Sequence, residues 1–263
     1  MRAREQYRPG PLGPLAWPRA ILFYLHIAFA TILIGLWGLP QVLIDRHRAQ
    51  RVATIWVGYL IRCARWHLGL TCEVRGTPPR GDCIIASKHQ SFWDILVLAH
   101  VLPRRAFIMK REVMRVPIMG AYAKAVGSIP IDRASGASAM GQIIAAVRKA
   151  MASDDGLGQL IIYPEGTRTR PGERRRYKHG VATIAEATDL PVHPVAVNVG
   201  LFWPRKGIPI RSGRAVIEFL PQLPPGLSPP EIITALQQVI EPASDALMAE
   251  AGFVPPPATP TQA

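Results

Sequence analysis

The stretch Cys83-Ile-Ile-Ala-Ser-Lys-His-Gln-Ser-Phe-Trp-Asp94 decides how this chain is expected to fold. Its first five residues form a short apolar run, the signature of a strand buried on both faces of a sheet. Lys88, His89 and Gln90 leave that strand. Ser91, with Asp94 three positions on, resembles a capping box, so a helix is expected to begin near Ser91. Strand, polar turn and helix make up one α/β unit, and the pattern continues from Thr71 onward. Strands are expected at 71–75, 82–87, 105–110, 128–131, 159–163, 193–199 and 215–220, and helices at 91–102, 113–126, 137–152, 179–188 and 230–251. This alternation predicts an α/β fold with a mixed, largely parallel sheet flanked by helices.

The residues before this region read differently. Residues 1–18 are basic and rich in Pro and Gly, as in a flexible tail, whereas 20–44 are nearly all apolar, interrupted by His26, Thr31 and Gln41. As a helix, 20–44 would extend about 37 Å, enough to cross a bilayer core. Ala28-Phe-Ala30 resembles a signal-peptide cleavage site but lies inside the apolar run rather than after it. Arginines flank the run on both sides (Arg2, Arg4, Arg8 and Arg19 before, Arg46, Arg48 and Arg51 after), so they set no orientation. In the next stretch Val52, Ile55, Trp56 and Tyr59 share a helical face. Two arrangements satisfy this pattern: an N-terminal membrane-associated helical hairpin dipping into one leaflet, or a single spanning helix. Gly35, Gly38 and Pro40 mark the expected bend. The expected division is a basic tail at 1–18, a membrane-associated helical segment at 19–68, an α/β domain at 69–251 and a flexible tail at 252–263. Removal of residues 1–65 is expected to leave the core folded.

The 263 residues carry 31 Lys and Arg against 18 Asp and Glu, a formal charge of +13, with mean hydropathy +0.14. Such an excess favours polyanions, either nucleic acid or an anionic membrane face. With aromatics at only 7% and an apolar N-terminus, the membrane is the better fit and no nucleic-acid partner is expected. Cys63, Cys72 and Cys83 are odd in number and lack CxxC spacing, so they read as reduced thiols rather than a disulfide or metal set.

Chemistry is expected where strands end. His89 precedes Asp94 by five positions, too far round for one continuous helix. If His89 sits in the turn before the helix, its ring can reach the carboxylate, leaving the other imidazole nitrogen as a base. An ordinary structural histidine and a carboxylate that serves only as a helix cap are the alternatives. At the end of the 159–163 strand, Tyr163-Pro-Glu-Gly-Thr-Arg168 offers a glycine turn and a guanidinium fork suited to phosphate. Glu165 is expected to pin a loop through a backbone amide or a cation. Arg133, after Asp132, and Lys110 are further candidate anion ligands at strand ends. The arginines of 169–178 read mostly as a solvated basic loop, able as a group to rest on anionic lipid.

In order and spacing, these motifs resemble the glycerophospholipid acyltransferase family. His89-Gln-Ser-Phe-Trp-Asp94 is similar to its His-x4-Asp motif, and Lys88 fits bacterial versions. Gly127-Ser-Ile-Pro-Ile-Asp132-Arg133 is similar to the second motif, with Pro130 where an aromatic is common. Tyr163-Pro-Glu-Gly-Thr-Arg168 matches the third, and Leu190-Pro-Val-His-Pro194-Val195-Ala196 the fourth. The resemblance implies that His89, oriented by Asp94, deprotonates the sn-2 hydroxyl of a lysophospholipid, 1-acylglycerol-3-phosphate, which then attacks the thioester of acyl-CoA or acyl-carrier protein. It implies substrate binding by Lys110, Arg133, Glu165, Gly166, Thr167 and Arg168, with Glu165 either supporting the site or contacting the acceptor. It also implies no cofactor, no metal, and a bacterial inner membrane location on the cytoplasmic face. Other lyso-lipid acceptors (lyso-ornithine lipid, lysophosphatidylcholine, lysophosphatidylglycerol) remain open, as does a non-catalytic, membrane-anchored basic protein.

Overall fold

A computed structural model describes residues 7–116, 119–131 and 138–254. Helices α1 (Ala16–Ile44) and α2 (Arg46–Leu68) lead into a seven-stranded sheet. Its strands are β1 (Leu70–Arg75), β2 (Cys83–Ser87), β3 (Arg105–Lys110), β4 (Ile129–Ile131), β5 (Gln159–Ile162), β6 (Val192–Val197) and β7 (Gly213–Phe219). The spatial order is β1-β7-β6-β2-β5-β3-β4, and every pair is parallel except β6 with β7. The interleaved helices are α3 (Phe92–Val101), α4 (Met119–Ala125), α5 (Ser138–Met151), α6 (Gly180–Thr188) and α7 (Pro229–Glu250). The mixed, largely parallel sheet read from the sequence is therefore the one formed. The expected helix at 113–126 is instead a 3-10 turn, Arg111–Arg115, followed by the short α4.

Alternation along the strands sorts side chains between two apolar layers. On β2, Cys83 and Ile85 face one layer while Ile84 and Ala86 face the other. The first layer is closed by α1, α2 and α3 through Phe23, Val57, Leu60, Ala64, Leu96 and Leu98. The second is closed by α5, α6 and α7 through Val147, Ile184, Leu236 and Ile240. This double burial explains the unbroken apolar runs at 83–86 of β2 and 160–162 of β5.

The N-terminal pair is an antiparallel hairpin. The Arg19 guanidinium donates to the His67 carbonyl, the His26 ring meets Tyr59 and His67, and Trp56 donates to Thr31, so partners run outward from Asp45. The chain reverses at Asp45, whose backbone is extended and whose carboxylate caps α2 by accepting from His47 N. The bend expected from Gly35, Gly38 and Pro40 is displaced to this residue; α1 runs on through Pro40 to Ile44. Gly38 has a different use. A Cβ there would lie 2.1 Å from the Tyr122 hydroxyl and 2.5 Å from Val52 Cγ1, so its bareness permits close packing of α1 against α2 and α4.

The hairpin is not an appendage. Val57, Leu60, Cys63, Ala64 and Leu68 of α2 are at most 5% exposed and form part of the first apolar layer. The expectation that residues 1–65 can be removed from a folded core therefore does not fit the packing. The outer face of α1 carries Leu22, Leu25, Phe29, Ile32, Leu33 and Leu36, each more than half exposed.

Candidate functional site

The parallel strands β6, β2, β5, β3 and β4 bring their C-terminal ends to one edge of the sheet. His89 leaves β2 there and Tyr163 leaves β5, its immediate neighbour. Ser91 is the N-cap of α3, so His89 stands two residues outside the helix. Its Nδ1 lies 3.0 Å from Asp94 Oδ1. The other oxygen, Oδ2, accepts from Gln90 N and Ser91 N, each at 2.9 Å. The fully buried carboxylate thus serves the helix cap and the imidazole together, one oxygen for each. The two roles weighed as alternatives in the sequence are both filled. A carboxylate only accepts, so Nδ1 carries a proton, and in the neutral ring the lone pair is on Nε2. Nε2 makes no hydrogen bond among the described residues, and the side chain keeps 12% exposure. The Tyr163 ring stacks on the imidazole at 3.8 Å between centroids and 19° between planes. Burial, then the Asp94 charge, hold the Tyr163 phenol well above its usual range, so it stays neutral against the ring.

Beneath the histidine lies a buried ionic network. Lys88 Nζ is 2.8 Å from Glu165 Oε1 and 2.7 and 2.9 Å from the two oxygens of Glu241 on α7. Glu165 Oε2 accepts from His89 N at 2.9 Å, and its Oε1 also accepts from Thr169 Oγ1 at 3.1 Å. Thr169 N in turn donates to the His89 carbonyl at 2.8 Å, and the single hydroxyl proton of Thr169 is shared between that carbonyl and Glu165 Oε1. Tyr177 donates to Glu241 Oε1 at 2.8 Å. Burial raises the Glu165 carboxyl above its ordinary range, with the Lys88 ammonium and the His89 amide pulling the other way. Glu165 is 2% exposed and both its oxygens are occupied by protein groups. It therefore fills the loop-pinning role expected of it, through a backbone amide and a cation, and not the alternative of contacting the acceptor: it points inward and fixes the loop that holds His89.

Gly166 (φ 66°) makes the turn after β5, and a Cβ there would come within 2.7 Å of Lys178 Nζ. Arg168 lines a cleft of about 260 Å³ with Tyr24, Phe92, Trp203, Arg205, Lys206 and Gly207. The Tyr24 hydroxyl donates to the Gly207 carbonyl at 2.9 Å, tying the hairpin to this wall. Thr167, half-buried, borders the same turn. Arg174 and Arg175 of the basic loop pair with Asp245 and Glu173. Lys110 closes β3 at the same sheet edge; its side chain, and Arg133 altogether, lie outside the described residues.

Sequence reasoning missed Glu241, Tyr177 and the cations Arg205 and Lys206. One signal for Glu241 was available: an acid at helical spacing from the inward positions Ser244 and Met248. The other three belong to a fold-level neighbourhood that no spacing encodes.

A family model described as Acyltransferase matches residues 71–198. The 1-acyl-sn-glycerol-3-phosphate acyltransferase of Pseudomonas aeruginosa is 30% identical over 239 residues, covering 88% of this chain and 91% of that protein. The beta form of Homo sapiens is 30% identical over 216 residues, covering 78% and 76%. The crystal structure of the 1-acyl-sn-glycerophosphate (LPA) acyltransferase PlsC from Thermotoga maritima superposes with a TM-score of 0.72 at 23% identity, covering 89% of this chain and 98% of that one, which makes it a shared fold.

Proposed function

Because this chain belongs to the acyltransferase family and is an acyltransferase, we propose that it transfers an acyl chain from a thioester to the sn-2 hydroxyl of 1-acylglycerol-3-phosphate, giving phosphatidic acid. The observation that carries this reading is the His89 ring, oriented by Asp94 with Nε2 unengaged, beside a cleft walled by Arg168, Arg205 and Lys206. The relatives' names supply the acceptor class.

Nε2 takes the proton of the acceptor hydroxyl as its oxygen attacks the thioester carbonyl. The tetrahedral oxyanion collapses, the C–S bond breaks, and the departing thiolate takes the proton back from the imidazolium. No acyl-enzyme forms. Asp94 holds the imidazolium in place while it exists, and Glu165 keeps the His89 backbone still through the Lys88 network. Arg168, Arg205 and Lys206 hold the acceptor phosphate by charge-assisted hydrogen bonds. The exposed apolar face of α1 seats the hairpin in one leaflet, because its opposite face is taken by α2 and the sheet. Tyr24, on that helix, places the cationic cleft at the lipid boundary.

Product analysis decides the reaction. Labelled acyl thioester with lysophosphatidic acid should give labelled phosphatidic acid. Preference for a phosphate-free lyso-lipid would overturn the acceptor assignment. Arg168→Ala should raise the apparent KM for the phosphorylated acceptor by about 10-fold or more while kcat changes less.

A further inference from the structure

A second cationic hollow lies at the outer strand of the sheet, where Ser128 and Pro130 of the second motif meet the turn after β3. Arg111 and Arg115 from the 3-10 turn, Lys124 from α4, and Met114, Ser128 and Pro130 line a cavity of about 310 Å³ beyond the end of β3 and along the start of β4. None of the lining residues is an acid. Ser128 is 7% exposed, and its hydroxyl has no hydrogen-bond partner among the described residues. Its backbone amide is already committed to the Ala123 carbonyl, so the hydroxyl alone is left to donate into the hollow. Buried hydroxyls are nearly always paired, and a phosphate oxygen supplied by a ligand would complete this one. Met114 and Pro130 give the hollow an apolar wall, while Arg115 and Lys124 remain at the surface.

We propose that this hollow binds the phosphate of the acyl donor's phosphopantetheine arm. The inference rests on the acyl-transfer reading above and adds a site to it. Both reactants of that chemistry carry phosphate, and their reacting groups must meet at His89. The sheet order puts β2 between β6 and the β5-β3-β4 side. Arg205 and Lys206, in the loop after β6, wall the cleft together with Arg168, which leaves β5 next to β2. The Arg115 and Lys124 hollow lies at β4, three strands from β2, roughly 14 Å at ordinary strand spacing. A pantetheine arm, with two amide units between phosphate and sulfur, spans more than that gap. Coenzyme A and acyl-carrier protein present the same phosphodiester, and the open position of the cations leaves room for either remainder in solvent.

The test uses the full chain in mixed micelles. Titration calorimetry with phosphopantetheine and with pantetheine should show a preference of about 10-fold or more for the phosphorylated probe, abolished in Arg115→Ala/Lys124→Ala. Both side chains are exposed, so the variant keeps its core. Ser128→Ala should weaken phosphopantetheine binding by roughly 5-fold. In turnover, the double variant should raise the KM for acyl-CoA and for acyl-carrier protein while the KM for lysophosphatidic acid stays put. Equal binding of the two probes by the unaltered protein overturns the site. So does a variant whose acceptor KM rises instead, or one whose response is confined to acyl-CoA, which would put the nucleotide phosphates there. If the unaltered protein binds phosphopantetheine through these cations yet transfers no acyl chain, the site stands and the acyl-transfer reading falls.

Discussion

His89 depends on one carboxylate for two tasks, and substitutions at Asp94 should separate them. Asp94→Asn retains an oxygen for the α3 cap but loses the charge that steadies the imidazolium. Turnover should fall on the order of 10²- to 10⁴-fold with little change in melting temperature. Asp94→Ala should show the same loss plus about 1 kcal/mol of stability, the scale of a capping interaction, because Asp94 closes the capping box of Ser91. Equal melting curves for the two variants would show that the cap contributes nothing. Lys88 poses a different question. It is 1% exposed and neutralises two carboxylates, Glu165 and Glu241. Lys88→Met should destabilise by about 3–5 kcal/mol because it leaves buried charge without a partner. Glu165 is held above its ordinary range, so the folded state binds its proton more readily than the unfolded state does. Its ionised form therefore costs stability, and the cost eases as pH falls from above its folded pKa towards the ordinary carboxylate range. Lys88→Met removes the group opposing that rise. The variant should gain melting temperature on acidification over this window relative to the unaltered protein.

At the scale of elements, the decisive junction is between the hairpin and the sheet. Arg105 of β3 is 3% exposed, and its guanidinium donates to Thr54 Oγ1 at 2.6 Å and to the Gln50 carbonyl at 3.0 Å, both on α2. Gln50 reciprocates by donating to the Val126 carbonyl after α4 at 3.0 Å. Burial lowers the Arg105 pKa to about 10, the direction expected for a guanidinium taken out of water. Arg105→Ala should cost about 2–4 kcal/mol through lost packing and orphaned acceptors. Arg105→Met, which fills the same space without a buried charge, should cost about 1 kcal/mol less than that or smaller still. Denaturant midpoints at constant slope would check the ranking. The strands and most helices were legible in the sequence because each is a short apolar run or a helical stripe bounded by polar turns. The chain reversal was misplaced for a physical reason. Glycine and proline permit a bend, but with α1 packed closely across Gly38 the helix continues to Ile44, and the chain reverses at Asp45, which caps the next helix.

On the scale of the whole molecule, the hairpin closes one apolar layer and offers its outer face to lipid. Deleting residues 1–65 should uncover Val57, Leu60 and Ala64's contacts with the sheet and yield aggregated protein without a cooperative melt. A soluble, cooperatively folding fragment would contradict that packing. The outer face can be altered without touching the core. Phe29→Lys with Leu36→Lys should leave the melting curve unchanged and reduce partition onto anionic vesicles by about 10²-fold or more, since each apolar side chain buried in lipid is worth about 1.5–3 kcal/mol. Vesicle flotation measures it directly.

By itself the sequence determined the α/β order of elements, the residues flanking His89 and Tyr163, and the apolar character of the N-terminus. These are local properties: burial periodicity, turn chemistry and spacing along the chain are written in consecutive residues. Only the tertiary structure decided that Glu165 turns inward to Lys88 rather than outward to substrate. It alone brought Glu241, more than 150 residues from His89, beneath the same loop, and set Arg205 and Lys206 beside Arg168. A charged side chain carries no mark of its partner; which cation meets which carboxylate follows from strand order and helix docking, and those are settled by the packing of the whole chain.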